Sequence, residues 1–262
     1  MQLQNSLPDL TARGLGLGAI SYDSPATLKA FAESRGITFP LLSDGGSETI
    51  KRYDILNREA TGRTAGIPYP GTFVVDARGI VVARSFEERY QERASPQSVL
   101  SSAGVQTPSS SGGSPSFDTP HLTLRTAISD RTAAPGTRIS LLLDITPKPR
   151  MHVYAPEQKD LIPVTVVLEP NDALKLHPTK FPASETYFFA ALNETQHVYS
   201  KPFRIVQDVT IALTPAMRER ATRKERVTIT GKLRYQACDD KVCFLPQDIP
   251  VSWTIELRPM ER

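Results

Sequence analysis

The sequence predicts an α/β layer followed by an all-β sandwich. Three observations lead there. Up to about residue 104, strand-like and helix-like segments alternate. Beyond about residue 117, strand follows strand, punctuated by Pro, Gly, Asn and Asp. Between them, thirteen of the twenty residues from Ser101 to Pro120 are Ser, Gly or Pro, a composition that buries almost nothing and behaves as a linker. The length of 262 residues fits two domains, read as 1–104 and 117–262 with a linker at 105–116.

In the first part, Leu15 to Tyr22 is an apolar, glycine-containing run of strand length. Ser24-Pro25 opens a helix, with a serine cap and a proline at the first helical position. Leu28, Phe31 and Ala32 recur at helical spacing and are expected to form its buried face, and Gly36 is the stop. Ile37 to Leu42 is a short extended run, and Ser47 to Leu56 a second helix. Thr72 to Asp76 and Ile80 to Phe86 flank the turn Asp76-Ala-Arg-Gly79 and read as a hairpin, and Ser95-Pro96 opens a last helix.

In the second part, strands are expected at about 121–128, 138–145, 163–168, 203–213, 227–235 and 251–257, with a helix near 215–224. Val227, Ile229, Leu233 and Tyr235 alternate with polar residues, as do Val251, Trp253, Ile255 and Leu257, so these two strands read as an antiparallel pair with one face in the core. The connection between them carries both cysteines of the chain, Cys238 and Cys243, which places them on a loop at one end of the sandwich.

Composition excludes several function classes. The formal charge of +3 comes from 31 basic and 28 acidic residues spread along the chain, without the basic stripe of a nucleic-acid binder. The longest apolar runs are of strand length, well short of the about 20 residues of a membrane-spanning helix. The first residues, Met1-Gln-Leu-Gln-Asn-Ser-Leu-Pro8, lack the basic and apolar segments of a secretory signal. Gly14-Leu-Gly16-Leu-Gly18 leads into a strand where a dinucleotide fingerprint would follow one, and no phosphate loop is present. The histidines at 121, 152, 177 and 197 show no close ligand spacing. Neither a cofactor nor a metal is expected. Asn193-Glu-Thr195 fits a glycosylation acceptor by pattern.

With four residues between them, Cys238 and Cys243 are easily bridged. The residues alone leave two readings open. A structural disulfide closing so small a ring contributes about 2 kcal/mol. A redox pair uses one thiolate to attack and the other to resolve. Asp239 and Asp240 disfavour a thiolate beside them, and only Lys241 opposes them, so either cysteine is an equal candidate for the attacker and part of the activation is left to a partner. In the first part, Pro70 stands immediately before a strand, where a proline marks the first residue and a cis bond would keep the site open to a partner's backbone.

Two resemblances sharpen the choice. Gly16-Leu-Gly-Ala-Ile-Ser-Tyr-Asp-Ser-Pro25, Phe39-Pro-Leu-Leu-Ser-Asp44 and Pro70-Gly-Thr-Phe-Val-Val-Asp-Ala-Arg-Gly79 resemble the thioredoxin-like redoxins of the alkyl hydroperoxide reductase/thiol-specific antioxidant class. This resemblance implies that Pro70 is a cis-proline beside the active site. It also implies a catalytic cysteine at the start of the helix whose tail is Leu3 to Leu10, preceded by a strand inside the sheet. Residues 1–104 contain neither, and codons upstream of Met1 are expected to encode them along with a signal or anchor. Without that strand, unpaired ladder groups and exposed apolar edges are expected.

Tyr235-Gln-Ala-Cys-Asp-Asp-Lys-Val-Cys-Phe-Leu-Pro-Gln247 and Ile249-Pro-Val-Ser-Trp253, with His152-Val-Tyr154 and the aromatic stretch Tyr187 to Tyr199 upstream, resemble the amino-terminal domain of the DsbD family of thiol:disulfide interchange proteins. The resemblance implies an immunoglobulin-like sandwich, an extracytoplasmic location, and a Cys238–Cys243 pair that relays reducing equivalents to thioredoxin-like or other disulfide-bearing proteins. It places Tyr187, Phe188 and Phe189 in the region of an aromatic cap over that pair. The resulting expectation is a thiol–disulfide oxidoreductase in which Cys238 and Cys243 react, while Pro70, Tyr187, Phe188 and Phe189 meet the partner. The redoxin-like part then serves as electron partner or docking module. Two alternatives remain: a peroxidase whose catalytic cysteine lies upstream, and a non-catalytic binding protein with a structural disulfide.

Overall fold

A computed structural model describes residues 2–86, 92–105, 115–159, 161–189 and 194–260. Most of the linker read at 105–116 and Asn193 of the acceptor pattern lie outside them. The chain divides into two compact units, Met1–Pro96 (with Glu261–Arg262) and Gln97–Met260. Residues 97–104, read from the sequence as the end of the first part, thus fall in the second unit. No helix among the described residues is long and apolar enough to cross a membrane.

The first unit contains α1 (Gln2–Ala12), β1 (Ala19–Ser21), α2 (Pro25–Arg35), β2 (Leu41–Ser43), α3 (Glu48–Arg52), β3 (Gly71–Val75), β4 (Val81–Phe86) and β5 (Arg93–Ala94). Helix α2 begins where its cap predicts: Ser24 Oγ accepts from the Thr27 amide at 3.2 Å, and Pro25 follows. It ends at Gly36, whose φ of 60° suits a residue without a Cβ. Its expected apolar face is only partly buried: Leu28 is covered, but Phe31 is 49% exposed. β1 and β2 pair in parallel, with Ile20 opposite Leu42. β3 and β4 form the predicted hairpin. These remain separate two-stranded pairs among the described residues, and Ile20, Leu42, Val75 and Val82 are each about half exposed.

The second unit opens with α4 (Pro96–Ser102) and then is almost entirely strand. One sheet runs β12 (Leu174–Leu176), β15 (Phe203–Ile211), β9 (Thr137–Pro147), β7 (Leu122–Ile128), β6 (Ser116–Asp118). A second runs β11 (Thr165–Leu168), β16 (Arg226–Tyr235), β18 (Gln247–Leu257), β8 (Thr132–Ala133). Their inward residues form one core, including Leu124, Leu141, Leu143, Ile205, Val209, Ile229, Leu233 and Ile255. The pair foreseen between β16 and β18 is antiparallel with Ile229 opposite Trp253 and Val227 opposite Ile255, and all four are buried. Trp253 keeps its indole N–H satisfied by donating to the Ala127 carbonyl at 2.8 Å. Helix α5 (Pro215–Thr222) is capped by Thr214, whose Oγ1 accepts from the Met217 amide, and buries Met217 and Ala221.

A third, smaller sheet was not foreseen. It runs β13 (Glu185–Phe189), β14 (Glu194–Tyr199), β10 (His152–Tyr154), β17 (Ala237–Cys238). Its strands are too short or too polar for a period-2 pattern to stand out, yet it is the sheet that holds Cys238 and, through it, the disulfide.

Candidate functional site

The segment after β16 turns into β17, which pairs antiparallel with β10 so that His152 faces Cys238 and Val153 faces Ala237. Cys238 is therefore a strand residue, a correction to its expected place on a free loop; the backbone pairing with β10 supplies the order. The chain then folds back on itself. Asp239 Oδ1 accepts from the Lys241 and Val242 amides, both at 2.7 Å, and the Asp239 amide donates to the Val242 carbonyl. This side-chain-capped turn brings Cys243 back to Cys238 with a Cα–Cα distance of 4.1 Å, and the two form a disulfide. Phe244 continues the return, its amide donating to the Ala237 carbonyl.

The two sulfurs have different surroundings. Cys238 is 1% exposed, packed with Tyr154 and Val198 and bordered by Leu161 and Tyr187. Cys243 is exposed, next to the outward-facing Val242 and Leu245. Tyr154 joins them. Its hydroxyl, the group that carries a hydrogen here, donates toward Cys238 Sγ at 2.9 Å and lies 3.3 Å from Cys243 Sγ. Burial holds the Tyr154 phenol above its ordinary range, so it stays a donor at any physiological pH.

Around this centre the charges are engaged. The amides of Lys241 and Val242 hold the Asp239 carboxyl below its usual range. Asp240 accepts from the Tyr187 hydroxyl at 3.0 Å and lies 3.8 Å from Arg150. The hydrogen bond to Asp240 in turn raises the Tyr187 phenol. The Tyr187 ring lies against His152 with centroids 5.1 Å apart, and His152 meets Tyr154 edge to face at 5.6 Å. Two aspartates that would repel a thiolate in isolation are thus shared with donors.

Of the residues singled out in the sequence, Cys238, Cys243 and Tyr187 come together here. Phe188 does not: alternation along β13 turns it to the other face, where it is 58% exposed. The Phe189 side chain lies outside the described residues. Pro70 belongs to the first unit and is half-buried. Its preceding peptide bond is trans, as are all described bonds, against the expected cis form. The trans isomer is lower by about 0.5–1 kcal/mol unless surroundings reverse the preference. Here Tyr69 donates its amide to the Ile55 carbonyl and Leu56 bridges Pro68, which holds the approach to Pro70 extended. Tyr154 and His152 were seen in the sequence only as part of a resemblance. The local signal that could have found their role is their i, i+2 spacing, which puts both on one face of a strand.

Comparison with known proteins follows these two units. Residues 123–252 match the family described as thiol:disulfide interchange protein DsbD, N-terminal, and residues 1–84 match the AhpC/TSA family. The chain is a fusion of an AhpC/TSA-family segment and a DsbD-family N-terminal domain. The AhpC/TSA segment is 34% identical over 84 residues to a Mycobacterium tuberculosis protein named as a peroxiredoxin, covering 32% of this chain and 54% of that protein. It is 39% identical over 82 residues to alkyl hydroperoxide reductase E of the same organism, covering 30% and 50%. The chain thus spans about half the length of these relatives. Among solved structures, the N-terminal periplasmic domain of ScsB from Proteus mirabilis aligns with a TM-score of 0.38 at 12% identity, covering 56% of this chain and 52% of that one. The reduced DsbD N-terminal domain of Neisseria meningitidis aligns with a TM-score of 0.31 at 15% identity, covering 45% and 82%. Both families belong to thiol–disulfide redox chemistry, and both cysteines of this fusion lie in its DsbD-type domain.

Proposed function

We propose that the fusion is an extracytoplasmic thiol–disulfide interchange protein that relays reducing equivalents through Cys238 and Cys243. The observation that carries this reading is the asymmetry of the pair: one cysteine exposed, the other buried, with one tyrosine hydroxyl against both sulfurs. A structural bridge has no use for an exposed sulfur beside apolar side chains. An exchange pair needs one, because the incoming thiolate must line up behind the sulfur it attacks.

The roles follow from access. The thiolate of a thioredoxin-like partner attacks Cys243 Sγ, the sulfur within reach. The Cys238–Cys243 bond breaks, and its electron pair stays on Cys238 Sγ, where the Tyr154 O–H donates to the developing thiolate. The partner's second thiol loses its proton and attacks its own sulfur in the mixed disulfide. Cys243 leaves as a thiolate and takes a proton up. Two electrons and two protons pass from the partner dithiol to this pair; the reverse sequence reduces a partner disulfide. Val242 and Leu245, which flank Cys243, form the apolar rim a partner meets. Residues 1–104 carry no cysteine, so in this chain they serve as a docking module, with Pro70 at a strand start within it.

Single-cysteine variants test the assignment. Cys238→Ser leaves the exposed Cys243 and should accumulate a mixed disulfide with a thioredoxin-like protein on a non-reducing gel. Cys243→Ser should accumulate far less. Equal trapping by both variants, or none by either, defeats the reading.

A further inference from the structure

Resting on the exchange reading above, we propose that His152 is a positioning residue for the reaction, holding a proton beside Cys238 so that the sulfur can leave as a thiolate paired with an imidazolium. The exchange chemistry requires this charge to be answered. When the bond to Cys243 breaks, a full negative charge lands on a sulfur that is 1% exposed. An uncompensated charge there is costly, and one neutral hydroxyl meets it only in part.

The geometry places His152 for the task. It is directly opposite Cys238 in the β10–β17 pair, and residues so paired carry their Cβ atoms about 4.5–5.5 Å apart on the same face of the sheet. The imidazole is itself 4% exposed, and its Nε2 has no hydrogen-bond partner among the described residues. A buried polar atom without a partner is rare and costly unless it has a use. The ring is fixed by the Tyr187 ring on one side and the Tyr154 ring at its edge, so its nitrogens are held in place.

The charged and titratable groups facing His152 set its response. Cys238 faces it from β17, Tyr154 from its own strand and Tyr187 from β13. Asp239, Asp240 and Lys241 stand on the turn after β17, with Arg150 against Asp240. Burial is the largest influence and keeps the imidazole neutral in the disulfide form, while the charges of Asp240 and Asp239 oppose it. Breaking the disulfide adds a third negative charge, on the residue directly opposite His152 in the strand pair, which shifts the balance toward the imidazolium. The proton it gains is one that the partner dithiol released on becoming a thiolate. It ends on Cys238 when the pair is fully reduced, so the imidazole returns unchanged.

The test uses the full chain. In a Cys243→Ser background only Cys238 ionises as a thiol, and its thiolate absorbance near 240 nm is followed against pH with His152 present and with His152→Phe, which keeps a ring against Tyr187. The expected result is a thiolate titration moved upward by about one pH unit in His152→Phe, a tenfold loss of thiolate at a given pH. His152→Gln serves as a second variant should Phe perturb the fold. In the two-cysteine protein, the His152 ring resonance should titrate at higher pH after reduction than before it. Identical thiolate curves with and without His152 overturn the proposal while leaving the exchange reading intact. If the wild-type disulfide cannot be reduced without unfolding the domain, both fail.

Discussion

Tyr154 Oη lies 2.9 Å from Cys238 Sγ, and both side chains are 1% exposed. A buried hydroxyl donating toward a buried sulfur favours whichever redox state carries more negative charge there. Tyr154→Phe keeps the ring and removes the donor. The fold should survive, with a loss of about 0.5–1.5 kcal/mol. Reduction of the disulfide by dithiothreitol should slow by about tenfold, the equivalent of one charge-assisted hydrogen bond of about 1.4 kcal/mol in the transition state. An unchanged rate would remove Tyr154 from the reaction.

Reduction itself should leave the sandwich folded. The core residues of β16 and β18 are buried against the other sheet and do not depend on the bridge. Closing so small a ring stabilises by about 2 kcal/mol at most, so the unfolding free energy of the reduced protein, measured in urea, should fall by no more than that. Loss of the near-ultraviolet signal on reduction would contradict it.

The turn that aims Cys243 depends on an ionised Asp239. Its folded-state carboxyl is held below the ordinary value of 3.8, so its contribution is present above that value and is lost as pH falls through the lower, folded one. Amide exchange at Lys241 and Val242, corrected for intrinsic rate, should accelerate on acidification through that lower range and stay flat above pH 5. Asp239→Asn, which keeps an acceptor oxygen but not the charge, should lose this dependence.

Gly231 marks a close approach of β16 to β11. A Cβ there would collide with the Val167 carbonyl oxygen and meet Leu168 Cα at 2.9 Å, both backbone atoms that cannot swing aside. Gly231→Ala should destabilise the second unit by about 1–3 kcal/mol in urea unfolding, with no change in the exchange rate per folded molecule.

The two units should differ when separated. Residues 97–260 contain the continuous core and should unfold cooperatively alone. Residues 1–96 leave Ile20, Leu42, Val75 and Val82 about half exposed and should bind an apolar dye and unfold without a sharp transition. A cooperative transition from that fragment would refute the expectation.

Local pattern was enough to read the long strands of both main sheets, the cap at Ser24, the helix near 215–224 and the cysteine pair, while the short strands β6, β8 and β12 and the Thr214 cap emerged only in the structure. Alternation and cap chemistry involve neighbours within a few positions, so one sequence displays them. The resemblance of Tyr235 to Gln247 narrowed the chemistry further. What only the tertiary structure decided is which sulfur is reachable and what stands beside the other. Residues 152, 154 and 187 reach Cys238 across 51 to 86 positions of chain, through three short strands whose pairing no period reveals. The four residues between Cys238 and Cys243 fit a bridge in either direction, and the difference in burial between the two cysteines exists only once β17 has paired with β10.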